Sequence, residues 1–139
     1  MSAPIIVLRR LERWPDRLTE FVESRRRTPF AYGSNDCCSF AIDAVDAVTG
    51  TRVREIDWQD ERGALRMLAE AGGAEAAVTS MLGRPSQNWQ DARRGDICLV
   101  DQDGRDVPLL CIGLALAGPG VERMEFRRLD EARLVWRVG

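Results

Sequence analysis

The chain has 139 residues, 45% of them hydrophobic and 30% charged, with a formal net charge of -2. That composition fits one globular domain spanning 1–139 and excludes a disordered chain. The near-neutral balance gives no electrostatic case for nucleic acid, and no apolar run approaches the ~18 residues of a membrane span.

The first residues, MSAPIIVLRRLERW, do not read as a signal peptide. The apolar run from Pro4 to Leu8 is short, and Arg9 and Arg10 follow it directly. The expectation is a chain made and kept in the cytosol, with Cys37, Cys38, Cys98 and Cys111 as reduced thiols. Their spacing matches no zinc pattern, so no metal and no cofactor is expected. All 20 cations are arginine, and histidine is absent.

Trp14-Pro15-Asp16 opens a first helix, since proline suits the first helical position. Leu18, Phe21 and Val22 form its apolar stripe, and it runs to about Arg27. The run Arg25 to Arg27 is a solvated helix end in this reading, with a groove for a partner as the alternative. A second helix follows the turn-formers Pro29, Gly33, Ser34 and Asn35. It begins near Cys37, buries Phe40, Ala41, Ala44, Val45 and Val48, and closes at Gly50. Ser34 or Asn35 is expected to cap it, with Asp36 adding negative charge to its first turn. A third helix is expected from about Gln59 to Ala71, capped by Asp57 and stopped by Gly72-Gly73. A short fourth spans Ala74 to Leu82.

The last third changes period. Ile97 to Val100 reads as a buried strand after Gly95-Asp96. Asp101 to Arg105 contains Asp-Gly, a hairpin signal. Val107 to Leu116 reads as one apolar strand, with Pro108 placing its start at an edge. After Gly118-Pro119-Gly120, Val121 to Leu129 alternates, with Met124, Phe126 and Leu129 set against arginines. Leu134 to Val138 is a final strand with Leu134 and Trp136 on one face. Helices first and an antiparallel sheet afterwards define an α+β domain.

Cys37, in a first helical turn, is placed where free N–H groups and the helix dipole favour a thiolate, which prepares a nucleophile. Asp36 opposes this, because an adjacent anion disfavours a second one. Buried, chemically silent cysteine is the competing reading for Cys37 and the favoured one for Cys38, Cys98 and Cys111. Trp14, Trp58, Trp89 and Trp136 read as core or interface anchors before sugar or peptide platforms. Arg9, Arg10, Arg93 and Arg94 read as solvated surface, with a grip on a partner or on murein carboxylates as the alternative.

Tyr32-Gly33 with Asp36-Cys37-Cys38-Ser39-Phe40 resembles the Asp-Cys-Ser-Gly-Phe/Leu motif of NlpC-type cell-wall cysteine peptidases. Gly95-Asp96-Ile97 is similar to their Gly-Asp-Leu strand, and Cys111-Ile112-Gly113-Leu114 to their His-Val-Gly-Ile. The finish, Phe126 to Arg137, resembles an NlpC-related family of unknown function encoded among phage tail genes. The resemblance covers about Trp14 to Val138. It implies a papain-like (NlpC-type) fold with Cys37 at the start of the central helix. It also implies that Cys37 holds the nucleophile position and Cys111 the position of the family histidine, the two facing across one cleft. The group that orients the base would fall near Glu122 to Met124, where neither His nor Asn stands.

A cysteine nucleophile needs a base within hydrogen-bond reach, and this chain has no imidazole to supply. The first expectation is therefore a structural or assembly component of a phage or phage-like tail tip, catalytically degenerate at Cys37. It would be made in the bacterial cytoplasm, incorporated in the virion tail and partnered by other tail tip or hub proteins. The alternative is an active cysteine amidase cutting murein peptides of peptidoglycan, with Asp96, Glu125 or a partner's histidine as base. A redox or metal role for the cysteines, or a small ligand in the old cleft, is a third class.

Overall fold

The computed structural model describes residues 7–139; Pro4 to Ile6 of the N-terminal apolar run lie outside the described residues. Four α-helices precede five strands: α1 (Trp14–Arg25), α2 (Cys37–Thr49), α3 (Glu61–Ala71), α4 (Ala74–Leu82), then β1 (Ile97–Gln102), β2 (Arg105–Cys111), β3 (Ala115–Pro119), β4 (Met124–Arg128) and β5 (Leu134–Trp136). The strands form one antiparallel sheet in the order β4-β3-β2-β1-β5. The domain is thus α+β, with Cys37 as the first residue of a helix that packs on the sheet.

Alternation across the strands makes two cores. Ile97, Leu99, Leu110, Ala117, Leu134 and Trp136 face the helices and pack with Phe40, Ala41, Ala44, Val45 and Val48 of α2. Cys98, Val100, Leu109, Cys111, Leu116 and Val135 face the other way. Ala92 and Ala132, beside the short 3₁₀ turns Trp89–Asp91 and Leu129–Glu131, close that second face. Fully burying each large apolar side chain contributes about 1.5–3 kcal/mol before entropy is counted.

The helix ends show what decides boundaries. Gly50 and Gly72 close α2 and α3 in the left-handed region, at φ 72° and 90°. The cap of α2 is Asp36, not Ser34 or Asn35: its carboxylate accepts from Ser39 N, and the Ser39 hydroxyl accepts from Asp36 N. Asn35 is used elsewhere, donating to the Thr28 and Pro29 carbonyls. Likewise α3 is capped by Asp60 rather than Asp57, and starts at Glu61. Arg25 is not a solvated helix end; it pairs with Asp43 and donates to Asn35, tying α1 to α2.

Asp103 and Gly104 turn the β1–β2 hairpin with φ 53° and 83°, both left-handed, as a two-residue primed turn requires. The expected single strand from Val107 to Leu116 is in fact two. Gly113, at φ 113°, turns the chain between β2 and β3 inside that apolar run. The parts of both strands nearest the turn, Pro108 to Cys111 and Leu116 to Gly118, are buried on both faces, so no polar break marks the turn. Although β2 is an inner strand, its ladder with β3 pairs only Leu110 and Cys111. Pro108 therefore sits at a local edge, where a missing N–H costs little.

Candidate functional site

The chain enters α2 through a tight turn that Asp36 organises. Gly33 sits at φ 83°, and a Cβ there would come 2.3 Å from the Trp58 carbonyl oxygen, so only glycine fits. Its N–H donates to Asp36 Oδ2 at 2.7 Å, and Trp58 Nε1 donates to the same oxygen at 2.7 Å. With Ser39 N at 2.8 Å on Oδ1, the buried carboxylate holds three neutral donors. This knot fixes Cys37 and Cys38 at the start of the helix and brings the Trp58 segment over it. Trp58 is a core anchor here, not a platform.

Cys37 and Cys38 line a cavity of about 520 Å³ with Phe30, Tyr32, Leu65 and Val107. Glu61, Arg105 and Asp106 supply its charged rim. The Cys37 thiol is pushed up from 9.0 to about 11, first by burial and then by the Asp36 carboxylate beside it. Its own backbone N–H works the other way and loses. Cys38 is raised further, to about 12, by burial and then by Asp36. The helix terminus can offer only about 0.3–1 kcal/mol to an anion at an exposed end, less than one pKa unit of ~1.36 kcal/mol. Desolvation outweighs it here.

Cys111 does not face Cys37. It lies at 0% exposure in the core on the sheet face turned away from α2, and its thiol leans on the Gly113 carbonyl at 3.9 Å. The reason is the two-residue alternation of β2. Leu110 points to the helices, so Cys111 must point away. The stretch of β2 that borders the Cys37 cavity is Arg105 to Pro108, several residues earlier. No histidine stands there; its carboxylate, Asp106, is engaged by Arg133 at 2.9 Å.

Neither of the other base candidates lines this cavity. Asp96 is buried, and accepts from Arg10 Nη2 at 3.0 Å, Arg93 N at 2.9 Å and Val138 N at 3.0 Å. Glu125 lies on β4, folded over Gly120. Cys98 is raised by burial, then by Cys111 and Asp96, and is fully enclosed. Among the described residues no group of three or more His, Cys, Asp or Glu is placed to hold a metal ion. No described helix is long and apolar enough to cross a membrane.

Asp96 also borders a second cavity, of about 850 Å³, that sequence reasoning did not assemble. It gathers Arg10, Arg93 and Arg94 with Arg84 and Arg137, from four separated stretches of chain. Trp14 lies under two of them, its ring 4.3 Å from the Arg10 guanidinium and 5.6 Å from that of Arg94. The Arg-Arg pairs at 9–10 and 93–94 were the visible signal; their convergence was not.

Fold and site together define an α+β domain that presents a protonated thiol at a helix start with no imidazole to activate it. The chain belongs to the family described as a domain of unknown function (DUF6950), which matches residues 9–138. No curated protein and no solved structure matches it.

Proposed function

We propose that this domain is a catalytically degenerate relative of NlpC-type cysteine peptidases, serving in the tip of a phage or phage-like tail or in its assembly. The resemblance of the Tyr32–Phe40, Gly95–Ile97 and Phe126–Arg137 stretches supports the papain-like scaffold and the tail setting. The observation that carries the loss of hydrolysis is the environment of Cys37. Its thiol is raised to about 11, its strongest charged neighbour is an anion, and the chain holds no histidine. General-base assistance is worth roughly 10²–10⁴ in rate, and the cavity border offers no imidazole for it, only the carboxylates of Glu61 and Asp106.

The test is digestion of purified peptidoglycan by wild type and Cys37→Ala, alongside tail assembly with each. The reading expects no peptide release from either protein and full assembly with both. A pull-down from tail-producing cells is expected to bring tail tip or hub proteins with the domain.

One observation favours the amidase reading as a second choice: the cavity beside Cys37 is open and bordered by Glu61 and Asp106. A base lent by a partner chain would enter there. Peptide fragments released by wild type and not by Cys37→Ala would establish that reading and end the first.

A further inference from the structure

The arginine cavity stands apart from the Cys37 cavity; the two share no lining residue. Both of its carboxylate side chains, Asp91 and Asp96, are hydrogen-bonded from within, but only Asp96 is paired with a cation. Asp96 is held by Arg10 and two backbone N–H groups, and Asp91 accepts from the Ser86 hydroxyl. Arg10 is spent on Asp96 and on the Arg94 and Val138 carbonyls. Arg84, Arg93, Arg94 and Arg137 form no ion pair among the described residues. Arg94 is held in place by the Thr19 hydroxyl at 2.8 Å and by the Trp14 ring. Five guanidiniums therefore meet only two carboxylate side chains, Asp91 and Asp96, in one concave site, which leaves that site net positive in a protein whose net charge is -2. Like charges gathered this way repel one another, and a bound anion relieves that repulsion. Guanidinium forks match carboxylates two bonds at a time.

We infer that this cavity is a docking site for a short acidic segment of a partner protein, its Asp or Glu carboxylates seated on Arg84, Arg93, Arg94 and Arg137. The distribution of charge selects a short segment over nucleic acid. Five of the 20 arginines are concentrated here, while 22 acids are spread over the whole chain, so the surface outside the cavity is net acidic. A long polyanion running past the cavity meets repulsion on both sides, whereas a few carboxylates need only the cavity. The inference goes beyond the tail reading and does not rest on it, because it concerns other residues and holds whatever Cys37 does.

The experiment uses the full chain and a fluorescent hexaglutamate peptide, with hexaglutamine, sodium tripolyphosphate, a murein-peptide fragment and a single-stranded oligonucleotide as comparators. The expected result is saturable binding of hexaglutamate that weakens steeply with salt, and none of hexaglutamine. Arg84 and Arg137 are exposed, and Arg84→Glu/Arg137→Glu should weaken hexaglutamate at least tenfold. Exposed pairs contribute up to about fivefold each, and reversal adds repulsion. The neutral Arg84→Gln/Arg137→Gln variant should lose a smaller factor, with circular dichroism unchanged in both. Absence of hexaglutamate binding at low salt, or equal binding by the reversal variant, overturns the site. Tighter binding of tripolyphosphate, murein fragment or oligonucleotide than of hexaglutamate overturns the acidic-segment assignment.

Discussion

Asp36 and Asp96 are both buried aspartates in loops that lead into a regular element, and both accept three hydrogen bonds. Their donors differ. Asp36 holds only neutral groups, namely two backbone N–H groups and the Trp58 indole, so its negative charge reaches the neighbouring thiols uncompensated. Asp96 holds Arg10, and its charge is matched on the spot. The same side chain therefore suppresses an anion at Cys37, while at the other cavity it is neutralised and leaves the surrounding arginines in excess. A buried carboxylate's effect on its neighbours is set by whether its donors carry charge.

The largest expected effect follows from removing the matched charge. Asp96→Ala strips the partner from Arg10 and leaves the Val138 and Arg93 N–H groups without an acceptor. Breaking such a pair costs about 3–5 kcal/mol, discounted toward the lower figure because Arg10 is partly solvated. Urea unfolding measures it, and a loss below about 1 kcal/mol would break the comparison at that end. Asp36→Ala should cost somewhat less, about 2–3 kcal/mol, from the lost cap and the buried Trp58 N–H left unpaired. It should also make Cys37 more acidic, since the second cause of its raised pKa is removed.

How much of this was legible in the sequence depends on how far each decision reaches along the chain. Gly50, Gly72-Gly73 and Asp103-Gly104 act on their own neighbours, and the ends they mark stand where local rules put them. The α2 cap was expected at Ser34 or Asn35, with Asp36 only adding charge to the first turn. The choice fell to Asp36, which also collects the indole of Trp58 from 22 residues away. The turn at Gly113 was hidden because apolar residues flank it on both sides and both strands are buried next to it. Cys111 was misplaced because its facing depends on the phase of β2, and a shift of one residue exchanges the two faces. The arginine cavity unites residues 10, 84, 93–94 and 137, so nothing short of the tertiary fold displays it.

A pH series sharpens the thiol side of the comparison. The folded chain holds the protons of Cys37 and Cys38 more tightly than the unfolded chain, whose thiols lose theirs near 9.0. Their contribution to stability is therefore complete below about pH 9 and is lost as pH rises through about 11 and 12. Urea midpoints should be level from pH 7 to 8 and fall above 9, with a shallower fall in Cys37→Ala/Cys38→Ala. The smallest effect is expected for Cys37→Ala at pH 7, under about 1 kcal/mol, because a half-buried thiol loses only one small apolar atom.

Whether Cys37 is a protonated thiol with no base is read from its alkylation profile. Native protein treated with iodoacetamide from pH 6 to 11, with modification at Cys37 separated from Cys38 by tandem mass spectrometry, gives the rate at one site. Slow labelling is expected at pH 7 and a rate still rising at pH 10, with its midpoint near the raised value of about 11. A plateau already reached between pH 6 and 8 would show an activated thiolate and contradict a protonated Cys37.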